Sequence, residues 1–240
     1  FHTDYSSVTV NIEQELKSWS AYNYIASISK DAKKAFITKF PSLSDKVIVI
    51  ENILSANFVR EQALLEQPVL DGEIKLLTVG RFGYPKAFDQ AVRICARLVK
   101  NGVPVKWYAI GYGDEQTILN AIEECGMHGH FIILGKKANP YPYIAACDIY
   151  VQPSRYEGKA VTVREAQILG KPVVITDFNT SSSQLIDGFD GIIVPMDVDE
   201  AARGIQCLIE NKPLQEELCN NMAVTDYSNA KEVELIYSLL

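Results

Sequence analysis

Two stretches of the chain combine glycines, cations and carboxylates at spacings suited to anion binding and to sugar recognition. The first reads Gly80-Arg81-Phe82-Gly83-Tyr84-Pro85-Lys86. Its glycines let the backbone approach a ligand closely. Arg81 offers a planar fork of donors to phosphate oxygens, and Lys86 adds a compact positive charge. A helix starting just beyond contributes unpaired N–H groups to the same anion. The same residues also describe an ordinary strand-to-helix turn with two solvated cations, and a short glycine-bearing turn does not by itself decide between the two. The second stretch, 153–166, reads PSRYEGKAVTVREA. Here Ser154, Arg155 and the N–H groups of Gly158 and Lys159 can meet one ligand, with Glu157 at the tip and Glu165 in the helix that follows. A carboxylate accepts several hydrogen bonds at once, which suits sugar or ribose hydroxyls. The plainer alternative makes Glu157 a partner for the helix dipole and places Glu165 on a solvated helix face.

Both stretches need strands to deliver them. From Glu73 onward, short apolar runs alternate with helical patterns. Strands are expected at Ile74 to Val79, Val105 to Ile110, Phe131 to Leu134, Ile149 to Gln152, Pro172 to Thr176 and Ile192 to Val194. Helices are expected at Lys86 to Lys100, Asp114 to Cys125, Pro140 to Ala146, Ala160 to Leu169, Ser181 to Ile186, Asp199 to Glu210, Leu214 to Val224 and Ala230 to Leu239. Such alternation predicts parallel βαβ units. Strands such as IYVQ and PVVIT, apolar on both faces, suit a sheet covered by helices on both sides. The fold class is therefore α/β, a doubly wound parallel sheet whose ligands sit beyond the carboxyl ends of its strands. The first seventy residues differ. A strand at Tyr24 to Ser29, a helix at Asp31 to Phe40 and a strand at Lys46 to Ile50 make too few units for an independent layered domain. This places a boundary near residues 66–72 and divides the chain into residues 1–68 and residues 69–240, the main domain.

Composition narrows the function classes. The net charge of −7 disfavours general nucleic-acid binding. The five cysteines are widely spaced, without a CxxC pair, and read as buried thiols of a reducing compartment. Three histidines, His2, His128 and His130, form no ligand cluster with them, so no metal is expected. No apolar run approaches the length of a membrane span. The start at Phe1 without a methionine suggests a piece of a longer chain.

The order of motifs is more specific than any one of them. It runs GR…K, GxGD at Gly111 to Asp114, Leu134-Gly135, the D-x4-PS-x2-EG string from Asp148 to Gly158, Glu165-Ala166, GKPVV at Gly170 to Val174, and Asp187 to Gly191. From about Ile74 to Val224 this resembles the C-terminal domain of family 4 glycosyltransferases, retaining enzymes of GT-B fold. The resemblance implies a fold that is the Rossmann-like C-terminal half of GT-B with a remnant of the N-terminal domain. It implies that Arg81 and Lys86, with the Gly80 turn, hold the donor diphosphate. It implies that Glu157 lies beside the transferred sugar and Glu165 binds ribose hydroxyls. Ser154 and the backbone of Gly158, Lys159 and Ala160 then face the sugar and phosphate. His2-Thr3-Asp4 resembles the His-Thr of the N-terminal domain that faces the donor sugar, making His2 a site residue of the whole enzyme. Lys159-Ala160 stands where many members have Phe-Gly, and Ala87 where many have Gly. At that place Lys159 either adds charge near the phosphate or points to solvent. The implied partners are a nucleotide-sugar donor and a saccharide or lipid-linked acceptor, with no cofactor and no metal. The implied location is cytoplasmic, with peripheral association at the inner membrane face in the full-length enzyme. The implied activity is sugar transfer with retention in polysaccharide or glycolipid synthesis. Little transfer is expected from this stretch alone, because the early acceptor-binding units are not in it. A sugar-nucleotide epimerase, or a non-catalytic nucleotide-sugar-binding module, is the alternative.

Overall fold

The computed structural model describes residue 5 and residues 9–239. The first unit holds α1 (Ile12–Ser20), β1 (Ile25–Ser27), α2 (Lys30–Lys39) and β2 (Val47–Val49). β1 and β2 pair in parallel as a two-stranded sheet. Phe36, Phe40, Leu43 and Val47 bury one side of it, with edge-on aromatic contacts between Tyr5 and Phe36 and between Trp19 and Phe36. Next comes α3 (Ala56–Ala63), capped by Ser55, whose hydroxyl accepts the Phe58 N–H.

The main unit begins with β3 (Ile74–Val79), then α4 (Phe88–Lys100), β4 (Val105–Ile110), α5 (Glu115–Cys125), β5 (Phe131–Gly135) and α6 (Tyr141–Ala146). It continues with β6 (Ile149–Gln152), α7 (Val161–Ile168), β7 (Val173–Thr176), β8 (Ile192–Val194), α8 (Val198–Glu210), α9 (Lys212–Val224) and α10 (Ala230–Tyr237). The strands form one parallel sheet in the order β5-β4-β3-β6-β7-β8. Successive residues of a strand face opposite sides. Leu76 thus packs in the core under α4, α5 and α8, while Leu77 packs in the core under α6 and α7. This is the doubly wound arrangement the apolar strands predict. A buried polar link ties its centre together: Trp107 donates to the Thr78 hydroxyl at 3.0 Å, and Thr78 donates to the Val151 carbonyl at 2.7 Å.

The strand order places the winding reversal between β3 and β6. The chain leaves those two neighbouring strands toward opposite faces, which opens a crevice at their carboxyl ends. The two chemistry-bearing turns are the ones that border it.

Val59 of α3 is fully buried in the main core, and the Asn139 side chain donates to the Gln62 carbonyl at 2.9 Å, so α3 packs with the six-stranded unit and residues 50–55 form the hinge between it and the two-stranded sheet. The hinge is also tied from the far end of the chain. Asn229 accepts the Leu54 N–H and donates to the Asn52 carbonyl, and Glu232 of α10 accepts the Glu51 N–H. Of the cysteines, Cys95 and Cys147 are buried, and burial pushes both thiols up to about 12. Cys207 is exposed, which corrects the expectation that all five are buried.

Candidate functional site

Lys86 does not open α4 as its sequence suggests. Tyr84 to Lys86 form one 3-10 turn, and Ala87 then adopts φ 52, the left-handed region, before α4 begins at Phe88. That kink turns Lys86 across the crevice. Its ammonium donates to Glu157 Oε1 at 2.5 Å, joining the turn after β3 to the turn after β6. Gly80 leaves room for this crossing, because a Cβ there would meet the Lys86 side chain at 3.3 Å. The GxGD turn after β4 buttresses the same place. A Cβ on Gly111 would lie 1.9 Å from the Gly80 carbonyl oxygen, and Phe82 pairs with Gly113 as a short bridge.

The Glu157 carboxylate is placed from below by a chain of buried polar groups. The Ser154 hydroxyl donates to Oε1 at 2.7 Å, and the Gln152 amide donates to Ser154 at 2.8 Å. Gln152 in turn accepts from the Tyr150 and Thr162 hydroxyls. Thr180 donates to the Glu157 carbonyl at 2.6 Å and Thr176 to the Ser154 carbonyl at 2.6 Å, so the loop after β7 holds the turn as well. Gln152 closes an otherwise apolar strand, and that single polar residue at a strand end is the signal that sequence reading passed over.

Arg155 works inward. Its guanidinium makes a forked pair with Asp89 at 2.9 and 2.6 Å, donates to the Tyr84 carbonyl and lies 4.4 Å from the centre of the Tyr84 ring. Its N–H donates to the Pro85 carbonyl. It therefore clamps the two turns together and is not turned toward a ligand. Burial raises the Asp89 carboxyl, but the Arg155 hydrogen bonds and charge more than offset this and hold it below the usual range.

Glu165 is 8 % exposed, which removes the solvated-face reading. Burial raises its pKa, and the Tyr141 hydroxyl, donating to Oε1 at 3.1 Å, opposes that rise. Lys159 follows neither of its two expectations. Its side chain, 10 % exposed, reaches Glu51 in the hinge at 3.1 Å and the Ser183 carbonyl at 2.8 Å. The Ala160 N–H is taken by Gln184 at 2.8 Å. The N–H groups of Gly158 and Lys159 have no hydrogen-bond partner among the described residues. Arg81 is exposed, rests 5.9 Å from the Tyr112 ring centre, and has no carboxylate partner among the described residues. His2 lies outside the described residues.

The structure thus gathers Gly80, Arg81, Lys86, Ser154, Glu157, Gly158 and Glu165 at the carboxyl edge of the sheet. A cavity of about 640 Å³ at the opposite edge, lined by Glu73, Cys147 and Lys171, contains none of them. No helix among the described residues is long and apolar enough to cross a membrane.

The doubly wound sheet, with its cations, glycine turns and two carboxylates at the carboxyl edge, has the Rossmann-like fold of one half of a GT-B protein. The solved structures it resembles agree on the fold. A Staphylococcus aureus TarM mutant, crystallised with fondaparinux, alpha-GlcNAc-glycerol and UDP, superposes with TM-score 0.80 at 18% identity, covering 100% of this chain and 49% of that one. Alr3699/HepE of Anabaena in complex with UDP superposes with TM-score 0.77 at 18% identity, covering 95% and 66%.

Residues 60–224 match the family described as glycosyl transferases group 1, and the chain belongs to that family. Among relatives, the alpha-D-kanosaminyltransferase of Streptomyces kanamyceticus is 27% identical over 168 residues, 68% of this chain and 44% of that protein. The N-acetylgalactosamine-N,N'-diacetylbacillosaminyl-diphospho-undecaprenol 4-alpha-N-acetylgalactosaminyltransferase of Campylobacter jejuni is 25% identical over 190 residues, 78% and 51%. The chain spans about half the length of these curated relatives.

Proposed function

We propose that the main unit binds a nucleoside-diphosphate sugar along the carboxyl ends of β3, β4, β6 and β7. The whole enzyme then transfers the sugar to an acceptor hydroxyl with retention, in polysaccharide or glycolipid synthesis. The observation that carries this reading is the Lys86–Glu157 pair spanning the switch point, with Arg81 beside it and the N–H groups of Gly158 and Lys159 unpaired among the described residues. Arg81 and Lys86 neutralise charge as it develops on the departing diphosphate, an electrostatic role that needs donors already in place. In this reading the two cations carry that charge without a metal or an organic cofactor. Glu157 accepts hydroxyls of the transferred sugar, and Glu165 accepts those of the ribose.

The acceptor is a saccharide or a lipid-linked saccharide, in keeping with the Campylobacter relative, whose name states an undecaprenol-linked substrate. A lipid-linked acceptor brings the enzyme to the cytoplasmic membrane face by peripheral association. His2 belongs to the part of the site that faces the donor sugar.

The test is a thermal-shift series with UDP, GDP and ADP and their sugars, then assay of nucleoside-diphosphate release with and without oligosaccharide or lipid-linked acceptors. Ligand at a hundredfold excess over its dissociation constant stabilises by about 2.7 kcal/mol. A chain that no nucleoside diphosphate stabilises refutes the reading. Interconversion of the donor's sugar without transfer converts it to an epimerase.

A further inference from the structure

We propose that Tyr141 is a positioning residue for Glu165 and sets how sharply this site distinguishes ribose from deoxyribose. The inference rests on the ribose role proposed for Glu165. That carboxylate sits on α7 behind the crevice, and one of its oxygens, Oε1, accepts the Tyr141 hydroxyl at 3.1 Å. Oε2 has no hydrogen bond, and the carboxylate has no ion-pair partner, among the described residues. Tyr141 is therefore the one side chain that orients it there.

Tyr141 is itself held from several sides. Its ring meets the edge of Phe58 on α3, with centres 6.3 Å apart and planes at 86°. Its N–H donates to the Asn139 side chain at 3.2 Å, and Asn139 is anchored to the Gln62 carbonyl on α3. The hydroxyl thus reaches Glu165 from a fixed base that includes the linker helix.

The chemistry follows from lone-pair geometry. A carboxylate has about four acceptor positions in one plane. To take two neighbouring ribose hydroxyls it must present Oε2 and the outer side of Oε1 together. The hydroxyl that Tyr141 donates to Oε1 fixes that plane and leaves Oε2 and a further lone pair of Oε1 for the ribose. Without it the carboxylate turns about its last torsion, which is broad and soft for glutamate. A preset orientation favours the ligand that uses both oxygens, because less ordering remains to be done on binding.

The experiment uses the 240-residue chain with Tyr141→Phe, which keeps the ring and removes only the hydroxyl. Calorimetry measures UDP and 2′-deoxy-UDP, and GDP with its 2′-deoxy form, on wild type, Tyr141→Phe and Glu165→Gln. Melting temperatures are read on the same samples. Tyr141→Phe is expected to reduce the preference for ribose by about three- to tenfold, the net worth of one typical intramolecular hydrogen bond. Glu165→Gln is expected to remove most of the preference. An unchanged preference in Tyr141→Phe, with or without a lower melting temperature, overturns the inference, as does an equal loss for both sugars. A preference that survives Glu165→Gln overturns the ribose role itself, so the two failures are distinguishable.

Discussion

Replacing Glu165 by glutamine is expected to stabilise the protein while weakening its grip on nucleotide. The carboxylate is 8 % exposed and lacks a cation among the described residues, so its ionised form is held at a cost. Burial raises its pKa, and the Tyr141 hydrogen bond only partly counters this. The folded state therefore holds the proton more tightly than the unfolded chain, whose carboxyl titrates near about 4.3. Stability from that proton is fully present below the unfolded value and is lost as pH rises through the raised folded value. Above that raised value the wild type has lost it, and Glu165→Gln, which carries no charge, has not. Relief of a poorly compensated buried charge is on the order of 1–3 kcal/mol. A domain of this size gains about 2–4 °C in melting temperature per kcal/mol. The difference between variant and wild type should grow as pH rises above about 4.3 and vanish below it. The same change should cost about tenfold or more in UDP or GDP affinity, the worth of a charge-assisted hydrogen bond. Differential scanning fluorimetry across pH, paired with calorimetry, reads both quantities. A lower melting temperature at pH 7 together with unchanged nucleotide affinity refutes the argument.

Other predictions test the same geometry. Lys86→Met and Arg81→Met should each weaken UDP or GDP by about tenfold or more while leaving uridine or guanosine nearly unaffected. Equal losses for nucleotide and nucleoside in titration calorimetry count against a diphosphate role. Arg155→Met should lower stability by about 1–3 kcal/mol in urea, because it leaves Asp89 half-buried without its fork. Asp89 is held below its usual range, so its contribution is present above about pH 3.9 and is lost as pH falls through the folded value. The gap between wild type and Asp89→Asn should then close in acid, and a gap that widens there contradicts the pairing. Gly111→Ala should lose about 1–3 kcal/mol and some diphosphate affinity, since its Cβ collides with the Gly80 carbonyl. Gly83→Ala, with an extended backbone at φ -177 and its nearest Cβ contact at an ordinary 3.9 Å, serves as the control in the same denaturation series.

Periodicity read the main unit closely because its strands are buried runs. Ile74–Val79, Val105–Ile110, Ile149–Gln152 and Ile192–Val194 appear where they were expected. It missed α1 and α3 for the opposite reason. α1 buries no residue, and α3 buries only Val59 and Ala63, so neither carries a full apolar stripe. The helix drawn from Ser181 to Ile186 is one 3-10 turn, Ser181–Ser183. The late start of α4 hung on Ala87, whose left-handed conformation nothing in its own chemistry announces. The motifs located the site, but its wiring lay beyond them. Lys86 and Glu157 are 71 residues apart, and Lys159 and Glu51 are 108 apart, so only the folded topology shows which charges meet.

That wiring bears on how an acidic chain accommodates an anion. Lys86, Arg155 and Lys159 are each committed to a carboxylate: Glu157, Asp89 and Glu51. Such pairing cancels most of the long-range attraction that a bare cluster of cations exerts. The pairs differ in what they leave available. Arg155 spends its guanidinium on Asp89 and the Tyr84 carbonyl, which makes it a clamp. Lys159 spends its donors on the hinge and the Ser183 carbonyl, which makes it a tie between the donor turn and the neighbouring unit. Among the described residues the Lys86 ammonium makes one hydrogen bond, to Glu157, and keeps its remaining donors. On the proposed reading a diphosphate joins the Lys86–Glu157 pair without breaking it, with Arg81 closing from the exposed side. Little rearrangement is required at the cations themselves, and the Ser154–Gln152 chain keeps Glu157 in place while the phosphate charge arrives. Placing the cations beforehand in this way is what electrostatic stabilisation of a leaving group demands. On the proposed reading it also accounts for a net charge of −7 coexisting with a local anion site.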